Sequence, residues 1–567
     1  MISHKQLLYS AGVVSLLLWC MPATAQTSST QPSTTGTISG KVLNESGRPL
    51  HNARIIITRV GAVVVENTTT TTDREGKFEM SGLQPVNYQV SAFLQGYAPV
   101  LHDLDDSRAG VYRTGESVTL RLTKGGVITG TVTNQAGEPV VGVNVRAVMV
   151  HPVNSLPFPY SVLGSADLTD DRGVYRIYGL AEGNYVVWAG GGGGNPGQSN
   201  EDPFESDVPT YAPSSTRDSA REIMVRAGAE SNGVDIQYRG DSGYALSGNV
   251  SGSERDRPYV INVVSAHGPQ WETRAFQTPE DRGFMIQGVD DGDYYIVAMA
   301  PRANGELMFS EAKQVRVSGA DVGGVQLVVQ PLSFVTGSVV LEETKVMQCR
   351  DKQRPIFTET IISAERSGVN PFQGSLRFIL PRSTADERGN VSLKNLLPGR
   401  YYFTTQHFAR DWYLKSLLFT SAGKSIDAAR TWTTLKPGDR LSGLTITLAQ
   451  GAASLRGQIA VSEGETLADN LFVYLVPAEK EAAEDPLRFY GAGVAADGKV
   501  ALDHLAPGRY LLFAQVATDE STLTKLRSPD ASAYRGKLRR DAEAMKTEIE
   551  LKPCEKVSDF KVRVRTN

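Results

Sequence analysis

The chain has 567 residues, 40% hydrophobic and 21% charged, which excludes a disordered or coiled-coil protein and exceeds what one core can organise; about three to five domains are expected. Its 58 basic and 62 acidic residues leave a formal net charge of −4. With no concentrated basic face, nucleic acid is excluded as a partner. The first 25 residues read as an export signal. His4 and Lys5 open it, "LLYSAGVVSLLLWC" is its apolar stretch, and "ATA" at 23–25 precedes Gln26 as a small-x-small cleavage site. The apolar run is shorter than the ~20 residues needed to span a bilayer. Bulky Trp19 before Cys20 does not fit a lipoprotein site, so removal after Ala25 is expected. Residues 26–35, "QTSSTQPSTT", read as a flexible linker.

Regular punctuation follows. Five short strands, each holding a glycine, open five units: "GTISGKV" at Gly36, "GVITGTV" at Gly126, "YALSGNV" at Tyr244, "FVTGSVV" at Phe334 and "ASLRGQI" at Ala453. A second cassette recurs within each, as in "TDDRGVYRIYGLAEGNYVVWA" at 169–189. It predicts an Asp-Gly turn, an alternating strand, a second turn and a strand apolar on both faces. The turn pairs are Asp73 with Gly76, Asp170 with Gly173, Asp281 with Gly283, Asp386 with Gly389 and Asp497 with Gly498. The tyrosines Tyr88, Tyr185, Tyr294, Tyr401 and Tyr510 fall at one equivalent position, where each is expected to bury its ring and bond its hydroxyl to nearby backbone.

The expected organisation is five β-sandwiches at 36–124, 125–242, 243–332, 333–451 and 452–567, strung end to end. The second carries a Gly/Pro-rich insertion at 189–217 that reads as a mobile surface loop. Helical periodicity is confined to 523–546. The fold class is all-β: a tandem array of about five Greek-key antiparallel sandwiches. The two cysteines beyond the signal, Cys349 and Cys554, fall in different units. One disulfide and two buried thiols are both compatible with an oxidising compartment.

"ISGKVLNESGRPLHNARIIITR" and "TTTDREGKFEMSGLQPVNYQVSAFLQGY" in the first unit, with their counterparts in the second, resemble the carboxypeptidase regulatory-like domain. The third to fifth units share the opening strand and the cassette. The resemblance implies a transthyretin-like (prealbumin-like) sandwich of the carbohydrate-binding-like fold superfamily. It also implies a bacterial, exported accessory module of the kind found beside peptidases and outer-membrane receptors.

The family's name invites a peptidase reading, which the residues do not support. None of the seven histidines has a glutamate three positions on, and neither His-Glu-x-x-His nor Gly-x-Ser-x-Gly occurs. No catalytic residue, metal site or cofactor is expected. The acidic stretches at 103–108 and 289–293 cluster oxygen ligands in loops as calcium prefers, but neither fits an EF-hand and both read first as turns.

Glycan binding would need flat aromatic platforms. Trp188, Trp271, Tyr402 and Trp412 are the candidates, the last two within "YYFTTQHFARDWYL" at 401–414. The expected function is a non-catalytic binding or scaffold protein of the envelope, periplasmic or at the cell surface, with carbohydrate binding as its most concrete form. The alternatives are a protein-interaction accessory of a separate peptidase or outer-membrane receptor, or a mechanical stalk. The expected partner is a glycan or an envelope protein, with no transmembrane segment after the signal.

Overall fold

A computed structural model of the chain describes residues 35–60, 67–99, 111–150, 164–191, 203–204, 206–252, 259–266, 274–278, 282–301, 306–368, 382–421, 423–460, 471–495, 498–516 and 526–563. The export signal, nearly all of the linker, the acidic stretch at 103–108, Trp271, Asp281 and Asp497 lie outside these residues.

Alternation builds each unit. In the second, Tyr175 and Ile177 of strand Val174–Leu180 turn inward while Arg176 and Tyr178 face out. An apolar face of this kind must be covered, and a second sheet covers it. In the first unit one sheet runs Lys77–Leu83, Gly36–Leu43, Ser117–Lys124, Tyr97–Pro99. Its partner runs Asn67–Thr71, Arg54–Arg59, Asn87–Phe93, Val111–Arg113. Ile38, Val42 and Val118 meet Ile55, Ile57 and Val90 between them. The second, fourth and fifth units repeat the two-sheet plan. In the third, strand Leu307–Ser310 joins the two sheets into a single eight-stranded one. The fifth unit adds the helix Ser532–Met545, whose Leu538 and Ala542 are buried against Tyr474 and Phe513. Among the described residues no helix is long and apolar enough to cross a membrane.

The glycine in each opening strand has a steric cause. Opening and closing strands of a unit are parallel neighbours, as in Gly36–Leu43 with Ser117–Lys124 and Tyr244–Ser251 with Val322–Pro331. In the third, fourth and fifth units the closing strand slips register at the glycine, a bulge that turns a carbonyl toward the opening strand. A Cβ on Gly40, Gly130, Gly248, Gly337 or Gly457 would fall on the carbonyl oxygen of Val118, Val234, Val325, Leu444 or Phe560 respectively. Only glycine lets two backbones approach that closely.

The cassette closes each core. The Asp73, Asp170 and Asp386 carboxylates accept from the backbone N–H of Lys77, Val174 and Asn390 at 2.7, 2.8 and 2.8 Å. Gly76, Gly173, Gly389 and Gly498 take positive φ of 69°, 73°, 85° and 82°. The third unit departs from the expectation. Arg282, at φ 65°, takes the left-handed position, and Gly283 begins the next strand. The reason is register. The opening strand bonds the residue at the turn's left-handed position through Val42 to Gly76, Val132 to Gly173, Val339 to Gly389 and Ile459 to Gly498, and here Val250 bonds to Arg282.

The tyrosine hydroxyls donate four residues back: Tyr185 to the Ala181 carbonyl at 2.9 Å, Tyr294 to Asp290 at 3.0 Å, Tyr401 to Leu397 at 2.7 Å and Tyr510 to Ala506 at 2.7 Å. Tyr88 bonds the Gln84 backbone. Burial pushes the Tyr88, Tyr185, Tyr401 and Tyr510 phenols above their ordinary range, so those four stay protonated donors at any physiological pH. Tyr185→Phe is expected to cost about 1.5 kcal/mol, because it strands a buried carbonyl, and urea unfolding of the chain would read the loss.

Candidate functional site

The surplus aromatics of 401–414 are spent on boundaries between units. Tyr401, Phe403 and Trp412 fill the fourth core, whereas Tyr413 packs against the fifth. The Arg113 guanidinium of the first unit lies 4.7 Å from the Phe408 ring. The fourth unit is thus a hub, with joints to the third, first and fifth units.

Toward the third unit the joint is apolar. Val297, Met299 and Phe309 cluster with Leu332 and Leu397, and the Leu307 N–H donates to Asn395 Oδ1 at 3.0 Å. Toward the first unit it is polar: Asn87 Nδ2 donates to the Glu359 carbonyl at 2.6 Å, Thr358 Oγ1 to the Pro85 carbonyl at 2.9 Å, and Arg113 pairs with Glu359 at 3.2 Å. Burial raises the Glu359 carboxyl above its usual range, and Arg113 opposes that shift. The first unit also joins the second through Gln95 Nε2 and the Tyr178 hydroxyl, at 2.6 Å. The second meets the third where the Gly243 N–H donates to the Ser206 carbonyl at 3.3 Å and Gly288 lies against the Ser206 and Asp207 backbone. Units one to four therefore close a circuit, which corrects the end-to-end expectation. The physical reason is that Arg113 pairs with Glu359 and covers the Phe408 ring while Asn87 bonds the Glu359 carbonyl, contacts that a linear string could not make.

Toward the fifth unit the joint is covalent as well. Cys349 and Cys554 form a disulfide, their Cα atoms 5.5 Å apart. The chain crosses beside it: Cys554 N–H donates to the Gly451 carbonyl at 3.0 Å and Gln450 Nε2 to the Cys349 carbonyl at 2.9 Å. Trp432 Nε1 donates to Asp530 Oδ1 at 2.8 Å, and Arg400 stacks 5.0 Å from the Trp432 ring while reaching Asp530 at 3.6 Å. His407 of the fourth unit and His504 of the fifth also meet at this joint, ring centroids 4.5 Å apart and nearly perpendicular.

The predicted sugar platforms fare differently from these joints. Trp188 is 5% exposed, its ring 5.5 Å from Tyr211. Strand Thr210–Tyr211, inside the 189–217 insertion, pairs with it and covers it, so part of the expected surface loop is a sheet edge. Tyr402 is 9% exposed, edge-on to Trp432 at 5.8 Å, and Trp412 is 1% exposed. A sugar stacks on an open ring face, which these three rings do not offer. Trp271 lies outside the described residues. The acidic turn at 289–293 holds itself: Asp290 accepts from the Asp291 N–H at 2.8 Å, and Asp291 from Gly319 at 2.7 Å. Among the described residues no three His, Cys, Asp or Glu side chains converge as metal ligands.

The sequence reading missed the buried threonines that precede the turn aspartates. Thr72 Oγ1 donates to the Leu50 carbonyl at 2.6 Å and accepts from Ala53 N–H at 2.8 Å. Thr169 does the same with Val140 and Val143 at 2.7 and 3.0 Å. The repeated Thr-Asp pair was the available signal.

Fold and joints together define a tandem array of transthyretin-like β-sandwiches. Residues 37–120, nearly all of the first unit, match the family model of the carboxypeptidase regulatory-like domain. No curated protein matches the chain. Among solved structures, the Bacillus anthracis TIE protein is 14% identical with a TM-score of 0.14. That match covers 52% of this chain and 51% of the other, so the chain spans about half the length of that relative. The Streptococcal ancillary pilin is 13% identical over 52% of this chain and 99% of its own, with a TM-score of 0.16. Two B repeat units of the Staphylococcus aureus collagen-binding protein are 10% identical over 73% of this chain and 100% of theirs, with a TM-score of 0.13.

Proposed function

We propose that this chain is an exported, non-catalytic scaffold of the bacterial envelope that holds its sandwich units in a fixed arrangement and presents their variable segments to envelope protein partners. The observation that supports it is the Asn87, Arg113 and Glu359 joint between the first and fourth units, which are far apart in sequence. A flexible stalk has no use for such a contact. Small-angle X-ray scattering of residues 26–567 tests the arrangement. One narrow distance distribution, broadened by Arg113→Ala together with Asn87→Ala, is the expected result. A broad distribution in the unaltered chain overturns it.

Glycan recognition is the narrower version of the same binding role. It now rests on Trp271 alone among the four sequence candidates, since the other three rings are packed away. Binding of residues 26–567 to a polysaccharide panel, lost in Trp271→Ala, would support it. No binding to any member removes it and leaves the protein scaffold.

A further inference from the structure

We propose that the joint between the fourth and fifth units is an acid-opened hinge, in which protonation of the buried imidazole of His407 undocks the fifth unit while the Cys349–Cys554 disulfide and the chain at 450–453 keep it tethered. The geometry carries this. His407 follows strand Gly399–Gln406 of the fourth unit and is 8% exposed. Its Nδ1 finds no hydrogen-bond partner among the described residues. His504, in strand Lys499–Leu505 of the fifth unit, meets it edge to face, and the His504 Nδ1 lies 2.9 Å from the Trp412 carbonyl. A carbonyl only accepts, so that nitrogen carries the proton.

Among the described residues the groups facing His407 are His504 from its strand, Arg527 from the segment ahead of the helix, and the Ala409 backbone, whose hydrogen bond to the ring opposes the shift without cancelling it. Among the described residues no carboxylate faces the ring to stabilise its protonated form. Burial first, and the His504 charge second, lower the His407 ring to about 3. The sign follows. Undocked, His407 meets water and protonates near the ordinary histidine value of ~6.5. Docked, it resists until about pH 3. The docked state therefore holds full strength above ~6.5 and loses about tenfold in its docking equilibrium per pH unit below that. Two covalent crossings at one place turn the loss into a swing and not a release.

Hydrogen exchange of residues 26–567 with the disulfide intact tests the hinge, at pH 7.5 and 4.5 with correction for intrinsic exchange rates. Peptides covering 404–414 and 500–506 are expected to lose about 100-fold in protection at the lower pH, as two units of tenfold require. Those covering 335–339 and 471–476, inside the fourth and fifth cores, should keep theirs. His407→Phe removes the titration and should abolish the acid loss. Should that chain not dock at pH 7.5, His407→Leu carries the same comparison. Equal protection at both pH values in the unaltered chain overturns the proposal. So does an acid loss that persists in whichever variant docks.

Discussion

Gly248→Ala is expected to destabilise the third unit by about 3 kcal/mol, near the upper end of what overpacking costs. The added methyl would sit on the Val325 carbonyl oxygen, with the Phe284 ring 2.9 Å from it on another side. Neither neighbour can yield cheaply. The carbonyl belongs to a strand held by its ladder on both edges, pairing Tyr244–Ser251 on one side and Leu307–Ser310 on the other. Moving it would undo the bulge that sets the register of the whole closing strand, because a one-residue slip turns Val325, Leu327 and Val329 out of the core. An alanine at Gly47, where a Cβ meets nothing within 4 Å, is the contrast. That glycine has φ 76°, so its substitution costs about 1 kcal/mol of backbone strain and no clash. Urea unfolding of the two variants separates the causes: a large loss for Gly248→Ala against a small one for Gly47→Ala. Equal losses would mean that the opening-strand glycines matter for backbone freedom only.

The repeat was legible because its cause is local. A turn aspartate, a left-handed glycine and a tyrosine bonding four residues back are each fixed by a few consecutive residues. The third unit shows the limit. Asp281 and Gly283 stand one position closer than their counterparts in the first, second and fourth units, and only the bond from Val250 shows that Arg282 fills the left-handed position. That bond joins two strands, so spacing within the cassette could not reveal it. The candidate site was less legible for the same reason. An apolar ring on a strand reads alike whether it faces its own core, as Trp412 does, a neighbouring unit, as Tyr413 and Phe408 do, or solvent. The excess of aromatics at 401–414 did signal an interaction surface. That surface turned out to be covered by other parts of the same chain.

Loss of the disulfide, by Cys349→Ser or Cys554→Ser, is expected to lower stability by about 3 kcal/mol. The bond closes a sequence separation of 205 residues, and so long a loop has much chain entropy to lose on closure. Much of that span is already organised by the fourth and fifth cores, which keeps the effect within the ordinary range for one bridge. The loss should fall on the joint and on the turn between strands Glu548–Leu551 and Lys556–Arg563, where Cys554 sits at φ 59°. Without the bridge, that strained turn and the crossing at Gly451 have only hydrogen bonds to hold them. Urea unfolding should then separate into two steps, the fifth unit leaving first, where the oxidised chain unfolds its fourth and fifth units together. Reductant alone should not reproduce this at neutral pH. Cys349 is fully buried and Cys554 nearly so, and exchange needs a thiolate to reach a sulfur. A single step in both substituted chains would show that the apolar and aromatic contacts of the joint suffice without the bond. Rapid native-state reduction would show that the joint opens at neutral pH without help from acid, which separates the strap from the hinge it restrains.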